Sequence, residues 1–275
     1  PINGGHYYRR GWELMVDTKN LVGEFTWDTS LTFSKTNSFW KERLPNYDYQ
    51  IYQQRENEPM SAYYYYNVTG IINTDRSNMP ESQKTLQAEA QLPGCPIIED
   101  KNKDGKIDEN DVYMKDNSPA IYVGIGNTFT YKRFEFSFFM YGQFGIQKYN
   151  IAYSAAQAGP LAVDYPENSN KFAYRLWNSQ TNPNGSRPGL AIGKMGALPG
   201  NAWVNADREN ASFMRMRNIT LAYNLAGNIL GSLQRYVRNI KVYVDAQNPF
   251  ILTKFQGFDP EIYTGGGGAS GGSRG

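Results

Sequence analysis

The residues of this sequence best suited to chemistry form one acidic segment, from Asp100 to Asp111. Counted from Asp100, oxygen-bearing side chains stand at positions 1, 3, 5, 9 and 12, and a glycine stands at position 6. This is the spacing of a calcium-binding loop of the EF-hand type, where the glycine permits the turn that lets alternate carboxylates converge on one hard cation. The candidate ligands are Asp100, Asn102, Asp104, Lys106 (through its backbone carbonyl), Asp108 and Asp111.

Two features set this segment apart from a switching EF-hand. Position 12 is Asp111 rather than glutamate, so a bidentate contact needs a closer approach of the chain. Pro93 and Pro96 stand just upstream and argue against a flanking helix. We therefore expect a surface loop stiffened by Ca²⁺, and the alternative is a solvated Asx turn without a metal.

A run of four aromatic residues forms the second candidate site. It consists of Tyr63, Tyr64, Tyr65 and Tyr66, and Trp203 is added as a further candidate contact residue. Exposed tyrosines could stack on sugar rings or grip a protein partner. The alternative, which the sequence favours, is that alternate tyrosines pack a long connection onto the body of the protein.

Catalytic machinery is not indicated. Asp108 and Asp111 could suggest a glycosidase pair, but both already belong to the calcium-like loop. His6 is the only histidine and lies near the N-terminus, where a positioned general base is not expected. Cys95 is the only cysteine, which excludes a disulfide within the chain. A net charge of +2 without a basic stripe argues against nucleic-acid binding.

Alternation of apolar and polar residues with a period of two predicts the secondary structure. It predicts six β-strands, at residues 12–17, 25–33, 121–131, 134–141, 212–223 and 240–247. The fifth strand changes phase near Arg217 and Asn218, which indicates either a bulge or a first half that projects above a membrane. A short helix is expected at residues 226–235, and the Gly/Ser-rich tail 265–275 is not expected to order itself.

The connections between these strands are strongly unequal in length. Residues 18–23 and 131–134 are predicted tight turns, whereas residues 36–119 and 148–210 are long polar connections. Short turns on one side and long loops on the other are typical of outer-membrane barrels. Aromatic residues near the strand ends would suit an interfacial girdle, namely Trp12, Tyr131, Phe134, Tyr149, Tyr223 and Phe250.

Composition is compatible with such a barrel. Aromatic residues make up 15% of the 275 residues, and the mean hydropathy is −0.62. No apolar run of ~18 residues is present, which excludes an ordinary transmembrane helix. A transmembrane barrel keeps a low mean hydropathy because every second residue faces a polar lumen. The sequence thus predicts an all-β fold, a transmembrane antiparallel β-barrel. The alternative is a secreted, calcium-dependent carbohydrate-binding β-sandwich with elaborate loops.

Three ordered motifs resemble one family, the SusC/RagA-like TonB-dependent transporters of Bacteroidetes outer membranes. The acidic segment, preceded by Leu92-Pro93-Gly94, is similar to the family's PGD-x-x-x-x-D-x-NGDGKID pattern. Residues 213–223 (FMRMRNITLAY) resemble YLRLKNITLGY. Residues 242–250 and 253–261 (VYVDAQNPF and TKFQGFDPE) resemble VYVSGQNLFTFTKYKGFDPE, and Gly70-Ile71-Ile72 stands where the family has GIF.

The resemblance implies that this chain is one part of a larger transporter. Residues 1–275 would be the C-terminal part of a 22-stranded barrel, with the plug domain and the closing strand outside this sequence. The implied function is TonB-dependent import of a nutrient, an oligosaccharide or an oligopeptide, across the bacterial outer membrane. A SusD-like surface lipoprotein would lie over the long loops 36–119 and 148–210, and membrane lipid would surround the strands.

Overall fold

A large antiparallel sheet dominates the computed structural model, which describes residues 5–43, 49–53, 57–150, 171–189, 192, 195–225, 231, 235–237 and 239–261. Its six strands are β1 His6–Leu21, β2 Phe25–Glu42, β7 Ile121–Tyr131, β8 Phe134–Phe144, β12 Phe213–Leu225 and β13 Ile240–Thr253. They pair in the order β1-β2-β7-β8-β12-β13, every pair antiparallel. Five strands cover a segment predicted from alternation and β12 begins one residue inside its segment, so the prediction of the strands is confirmed.

One face of this sheet is apolar, because the register places apolar residues of neighbouring strands side by side. Leu31 of β2 pairs with Ile125 of β7, and Ile125 pairs with Met140 of β8. On the same face Leu221 is 50% exposed and Val244 is 74% exposed. Burial normally stabilises such side chains, so a continuous apolar face left open indicates a surface that something else covers.

The β-sandwich alternative is therefore wrong. A sandwich core forms where the inner faces of two sheets pack against each other and exclude water. Within the part of the chain that the structure describes, the apolar face of the six-stranded sheet meets no second sheet, and the smaller sheets lie in the long connections.

The turns and the bulge refine the predicted strand ends. β1 continues to Leu21, so the first turn spans residues 22–24 and is shorter than the predicted 18–23. The turn between β7 and β8 lies at residues 132–133, as predicted, with Lys132 at a φ of +53°. The pairing of β12 shifts register between Met216 and Asn218, which confirms the bulge.

At the opposite end, β2 extends beyond the predicted start of the first long connection at residue 36. It runs to Glu42 and still pairs with β1, where the ring of Tyr8 stacks on Phe39 at 5.4 Å. Arg10 lies over the same Phe39 ring at 4.8 Å. Alternation missed this extension because both faces of the strand carry polar residues there.

Aromatic rings line the apolar face near the short turns. The ring of Phe129 stacks on Phe25 at 6.2 Å, on Trp27 at 5.8 Å and on Phe136 at 6.0 Å. Phe134 contacts Tyr223 at 4.7 Å. Tyr149, expected in the same belt, lies instead in the short strand β9 Gln147–Tyr149, outside the six-stranded sheet.

The long connections contain structure of their own. β10 Trp203–Val204, β3 Ala62–Tyr66 and β6 Tyr113–Asp116 form a three-stranded sheet. β4 Val68–Ile71 pairs with β5 Pro96–Ile98, and β9 pairs with β11 Arg208–Asn210. Short 3₁₀ helices lie at Ile51–Gln53, Glu81–Thr85, Ala88–Gln91, Glu109–Asp111, Lys171–Arg175 and Pro199–Asn201.

A buried hydrophobic core lies in these connections rather than on the large sheet. Residues of the first connection, including Tyr66, Ile72, Cys95 and Val112, pack with Leu198 and other residues of the second. Cys95 is fully buried, and burial raises the pKa of its thiol to about 11, as expected for an inert core cysteine. The two connections therefore form one packed unit, called here the loop unit, and these buried residues are its loop core.

None of the helices in the described residues is long and apolar enough to cross a membrane. The helix predicted at 226–235 falls mostly outside the described residues, and the tail 265–275 falls entirely outside them.

Candidate functional site

The four consecutive tyrosines divide between two faces of β3, because side chains alternate along a strand. Tyr64 and Tyr66 point toward the loop core, and burial raises the pKa of both phenols. The Tyr64 hydroxyl donates to the carboxylate of Glu58, which is 1% exposed and also forms an ion pair with Arg43. The packing interpretation therefore holds for these two residues.

Tyr63 and Tyr65 lie on the other face of β3 and begin a ladder of rings. Their ring centroids are 5.2 Å apart, and Tyr65 stacks on Tyr113 of β6 at 5.7 Å. The ammonium of Lys101 lies 4.6 Å from the centroid of Tyr113, and the guanidinium of Arg208 lies 3.6 Å from that of Tyr63. A cation near an aromatic face is attracted by the ring quadrupole. The ladder thus carries a cation at each end.

Trp203 pairs with Tyr65 through the backbone in the parallel contact of β10 with β3. The residue is 69% exposed, so its indole is presented to the outside of the loop unit. The structure brings Trp203 next to the tyrosine strand, although the two lie on different long connections.

The acidic segment forms a compact loop held by its own carboxylates. Asp100 accepts from the amides of Asp104, at 3.2 Å, and Gly105, at 2.9 Å. Asp104 accepts from the amide of Lys106 at 3.0 Å, and Asp108 accepts from that of Asn110 at 2.8 Å. Gly105 has a φ of +86°, the left-handed conformation that its place at position 6 requires.

The carboxylate of Asp111, which was expected to be a metal ligand, is bound to backbone amides. Asp111 is fully buried, and its carboxylate accepts from the amides of Lys101, at 2.9 Å, and Asp108, at 2.8 Å. Position 12 therefore closes the loop on its own backbone. Among the described residues, no three side chains of His, Cys, Asp or Glu are grouped so that they could hold a metal ion. The donor set fits Ca²⁺ only in part, and Ca²⁺ binding remains a prediction.

A groove of about 650 Å³ lies between the two long connections. Its walls include Asn73, Trp177, Asn184, Ser186, Arg187 and Arg208. The size falls within the range of about 300–1,000 Å³ typical of small-molecule sites. Sequence reasoning missed this site, because its residues lie far apart in the chain and match no local motif.

Beside the groove lies a buried carboxyl group, that of Asp207. The residue is 6% exposed, and its Oδ1 has no hydrogen-bond partner. Burial raises its pKa to about 6, the positive charge of Arg187 lowers it and the negative charge of Glu209 raises it further. Arg187 itself pairs with Glu209 at 2.9 Å. This carboxyl group therefore titrates closer to neutral pH than an ordinary aspartate.

On the polar face of the large sheet, charged pairs link separate elements. Arg215 of β12 donates to both carboxylate oxygens of Asp259, at 2.8 and 2.7 Å, and forms an ion pair with Glu261. Lys241 of β13 bonds Glu135 of β8 at 3.0 Å. The first of these pairs fixes the segment that follows β13 against the sheet.

Comparisons with known proteins agree with this geometry. The chain is 27% identical to the TonB-dependent receptor SusC of Bacteroides thetaiotaomicron, over 96% of this chain and 25% of that protein. It is 26% identical to the TonB-dependent receptor P3 of Formosa agariphila, over 94% of this chain and 26% of the relative. The chain thus spans about a quarter of the length of these curated relatives. No protein-family model matches it.

Solved structures show the same fold. The RagAB peptide importer in its closed-closed state superposes with a TM-score of 0.66, at 19% identity, over 94% of this chain and 27% of that one. A second RagAB structure, in the open-open state, gives a TM-score of 0.61. The six-stranded sheet is therefore part of a β-barrel of this type, and the resemblance read from the three motifs is confirmed.

Proposed function

On the premise that this chain is a relative of the SusC/RagA-like TonB-dependent receptors, we propose that it belongs to an outer-membrane transporter that imports a nutrient oligomer with energy supplied through TonB. The observation that carries the proposal is similarity to such receptors along 94–96% of the chain. The six strands form the C-terminal part of the barrel wall. The plug that gates the barrel and the segment that contacts TonB are contributed by other parts of the transporter.

The open apolar face of the sheet supports a membrane location. Lipid is the covering that suits Leu14, Leu221 and Val244, which are all at least half exposed. Only a closed barrel satisfies every strand edge in a bilayer, so the remaining strands must come from the rest of the protein. Trp27, Phe129 and Phe136 form the aromatic band expected where such a wall meets an aqueous interface.

The packed loop unit supports the capture of substrate at the outer surface. A SusD-like lipoprotein lies over the long connections as a lid and contacts the exposed rings of Trp203, Tyr174 and Phe258. Large exposed aromatic residues are enriched at protein interfaces, where they bury much area at a low entropic cost. The substrate, an oligosaccharide or an oligopeptide, is held between this lid and the loop unit before it enters the barrel.

In this mechanism the residues of the chain bind and position a ligand, and no covalent chemistry is required of them. Tyr63 and Tyr65 present flat rings, and Arg208 and Lys101 present cations beside them. The buried Tyr66 and the partly buried Tyr64 hold β3 in the loop core. The rigid core thereby keeps the binding side chains in one arrangement while the lid opens and closes.

Uptake measurements in the source bacterium test the proposal. A strain without this gene and a strain without TonB should both lose uptake of the labelled oligomer that serves as nutrient. The native protein should be found in the outer-membrane fraction, require detergent for extraction and copurify with a surface lipoprotein. If the native protein were extracted without detergent, or if uptake continued in both strains, the proposed function would be wrong.

A further inference from the structure

Arg208 is a cation held in place without an anion. Its guanidinium lies 3.6 Å from the centroid of the Tyr63 ring, and its Nη1 donates to the backbone carbonyl of Gln147 at 3.5 Å. The Tyr63 hydroxyl donates to the Gln147 side chain at 2.6 Å, which fixes the ring beneath the guanidinium. No carboxylate of the described residues forms an ion pair with Arg208.

Burial makes this arrangement unusual. Arg208 is partly buried, and removal from water lowers the pKa of its guanidinium. Among the described residues, the groups that oppose this shift are the phenols of Tyr63 and Tyr149. Buried cations are normally paired, because their desolvation is costly. An arginine that a protein holds in this way is suited to a ligand that brings the missing anion.

The groove that Arg208 lines has no acidic wall. Among the residues that the structure describes, its lining contains two arginines and no aspartate or glutamate. Arg187, the second arginine, is already bound to Glu209 and to the carbonyl of Ala206. Of the two arginines in this lining, Arg208 is therefore the one that no described carboxylate pairs with.

The rest of the lining indicates what kind of anionic ligand fits. Asn184 and Ser186 are exposed at the rim, and their side chains form no hydrogen bond to the described residues. An amide and a hydroxyl are suited to sugar hydroxyls, which both donate and accept hydrogen bonds. The lining also contains apolar residues, among them Val68, Ile71 and Pro183, so an acidic peptide is the competing ligand that the test must include.

We propose that Arg208, seated on Tyr63, is the subsite for the carboxylate of an acidic oligosaccharide that this transporter imports. The guanidinium binds the carboxylate through two parallel N–H donors, and Asn184 and Ser186 bind hydroxyl groups of the same or the next sugar ring. This inference rests on the proposed function and narrows its substrate to saccharides that carry carboxylate groups.

Calorimetric titration of the native protein, purified from outer membranes with its partner, tests the subsite. The probes are trigalacturonate and a neutral galactotriose, which differ mainly in their carboxylates. We expect trigalacturonate to bind more tightly, and Arg208→Gln to weaken its binding about tenfold or more while galactotriose binding stays unchanged. Arg208→Lys keeps the charge but loses the fork of donors, so we expect it to recover only part of the affinity.

Arg76→Gln is the matched control, because Arg76 is exposed on the first long connection and does not line the groove. It removes the same charge and should leave both affinities unchanged. Arg208→Lys also serves as the test should Arg208→Gln fail to fold, since it conserves the cation above Tyr63. Equal loss in Arg76→Gln and Arg208→Gln, or unchanged binding in both Arg208 variants, would overturn the subsite.

Two further outcomes separate this inference from the proposed function. If uptake depends on TonB but the protein prefers the neutral trisaccharide, the subsite is wrong and the transporter stands. If tetraglutamate displaces trigalacturonate and binds more tightly, the carboxylate belongs to a peptide and the saccharide assignment is wrong. Loss of the transporter itself would appear in the uptake measurements, which do not depend on any Arg208 variant.

Discussion

The hydroxyl of Tyr66 lies 2.9 Å from the backbone carbonyl oxygen of Asp108, and so ties the middle strand of the loop sheet to the acidic segment. The same hydroxyl lies 3.0 Å from the carbonyl oxygen of Pro199, on the second long connection. Tyr66 is fully buried. One side chain therefore joins three parts of the loop unit that are far apart in the sequence.

Replacing Tyr66 with phenylalanine should loosen this junction. The ring remains, but the carbonyl groups of Asp108 and Pro199 lose the single hydroxyl proton that they share, which costs about 1–3 kcal/mol. We expect faster hydrogen exchange of the amides in β3, in the acidic segment and around Pro199. Tyr65→Phe is the control, because the Tyr65 hydroxyl forms no hydrogen bond among the described residues. Equal exchange in the Tyr66 variant and the parent would show that the junction does not hold the unit together.

The acidic segment should bind Ca²⁺ through Asp100, Asn102 and Asp104. Ca²⁺ takes about 6–8 oxygen ligands, so its arrival should turn part of the Asp111 carboxylate away from the backbone amides of Lys101 and Asp108. Added Ca²⁺ should then raise the melting temperature of the native protein in detergent. Asp104→Asn should abolish this rise.

Asp75→Asn should leave the Ca²⁺ effect intact, because Asp75 is exposed on the same connection but outside the motif. Metal analysis of the purified protein gives an independent measurement. A protein that carries no calcium, and whose melting temperature is the same with calcium and with a chelator, would support the metal-free Asx turn.

Asp207 should make the loop unit less stable as the pH rises. Its pKa in the folded protein, about 6, is above the ordinary value of 3.8, so the folded state holds the proton more tightly than the unfolded state. The contribution of Asp207 to the free energy of unfolding is full below about pH 4. It is lost as the pH rises through 6, and the loss is about 3 kcal/mol at most. Asp207→Asn should remove this loss and stabilise the protein at pH 7.5 but not at pH 4.

Melting temperatures of the parent and the variant at both pH values measure the effect. The charges that face this carboxyl group are Arg187 and Glu209, so both must be left unchanged. Glu89→Gln, at an exposed position of the first connection, is the control and should change neither value. A parent and an Asp207→Asn variant that respond alike to pH would disprove the assignment of the titration to Asp207.

Arg215→Ala should release the segment that follows β13. It removes the hydrogen bonds to both oxygens of Asp259 and the contact with Glu261, at a cost of about 2 kcal/mol for bonds of this charged type. We expect trypsin to cleave after Lys254 faster than in the parent. Arg217→Ala is the comparison, and we expect a smaller effect, since Arg217 is more exposed and reaches this segment only through a longer ion pair with Glu261, at 3.5 Å. Its other contacts are Asn248 and Tyr141 on the sheet. Similar cleavage in both variants would mean that Arg215 does not anchor the segment.

The local sequence predicted most of the strands of the barrel wall but little of the binding site. The alternation in residues 121–131 matches β7 at both ends, and the phase change near Arg217 marks the bulge of β12. The mixed polar residues that extend β2 to Glu42 hid that part of the strand. The groove at Arg208 and the buried carboxyl of Asp207 gave no signal, because burial there depends on residues from distant connections.

By itself, then, the sequence determined the strands, the inequality of the connections and the family resemblance. The strands follow from the period-two pattern, because successive side chains along a strand point to opposite faces of the sheet. The family resemblance follows from the order of the three motifs. Only the tertiary structure decided that Tyr66 is buried with Tyr64 packed beside it, that Asp111 turns to its own backbone, and that Arg208 lies on Tyr63. Burial and charge pairing are properties of a packed neighbourhood, and the neighbours here are brought together from two separate long connections.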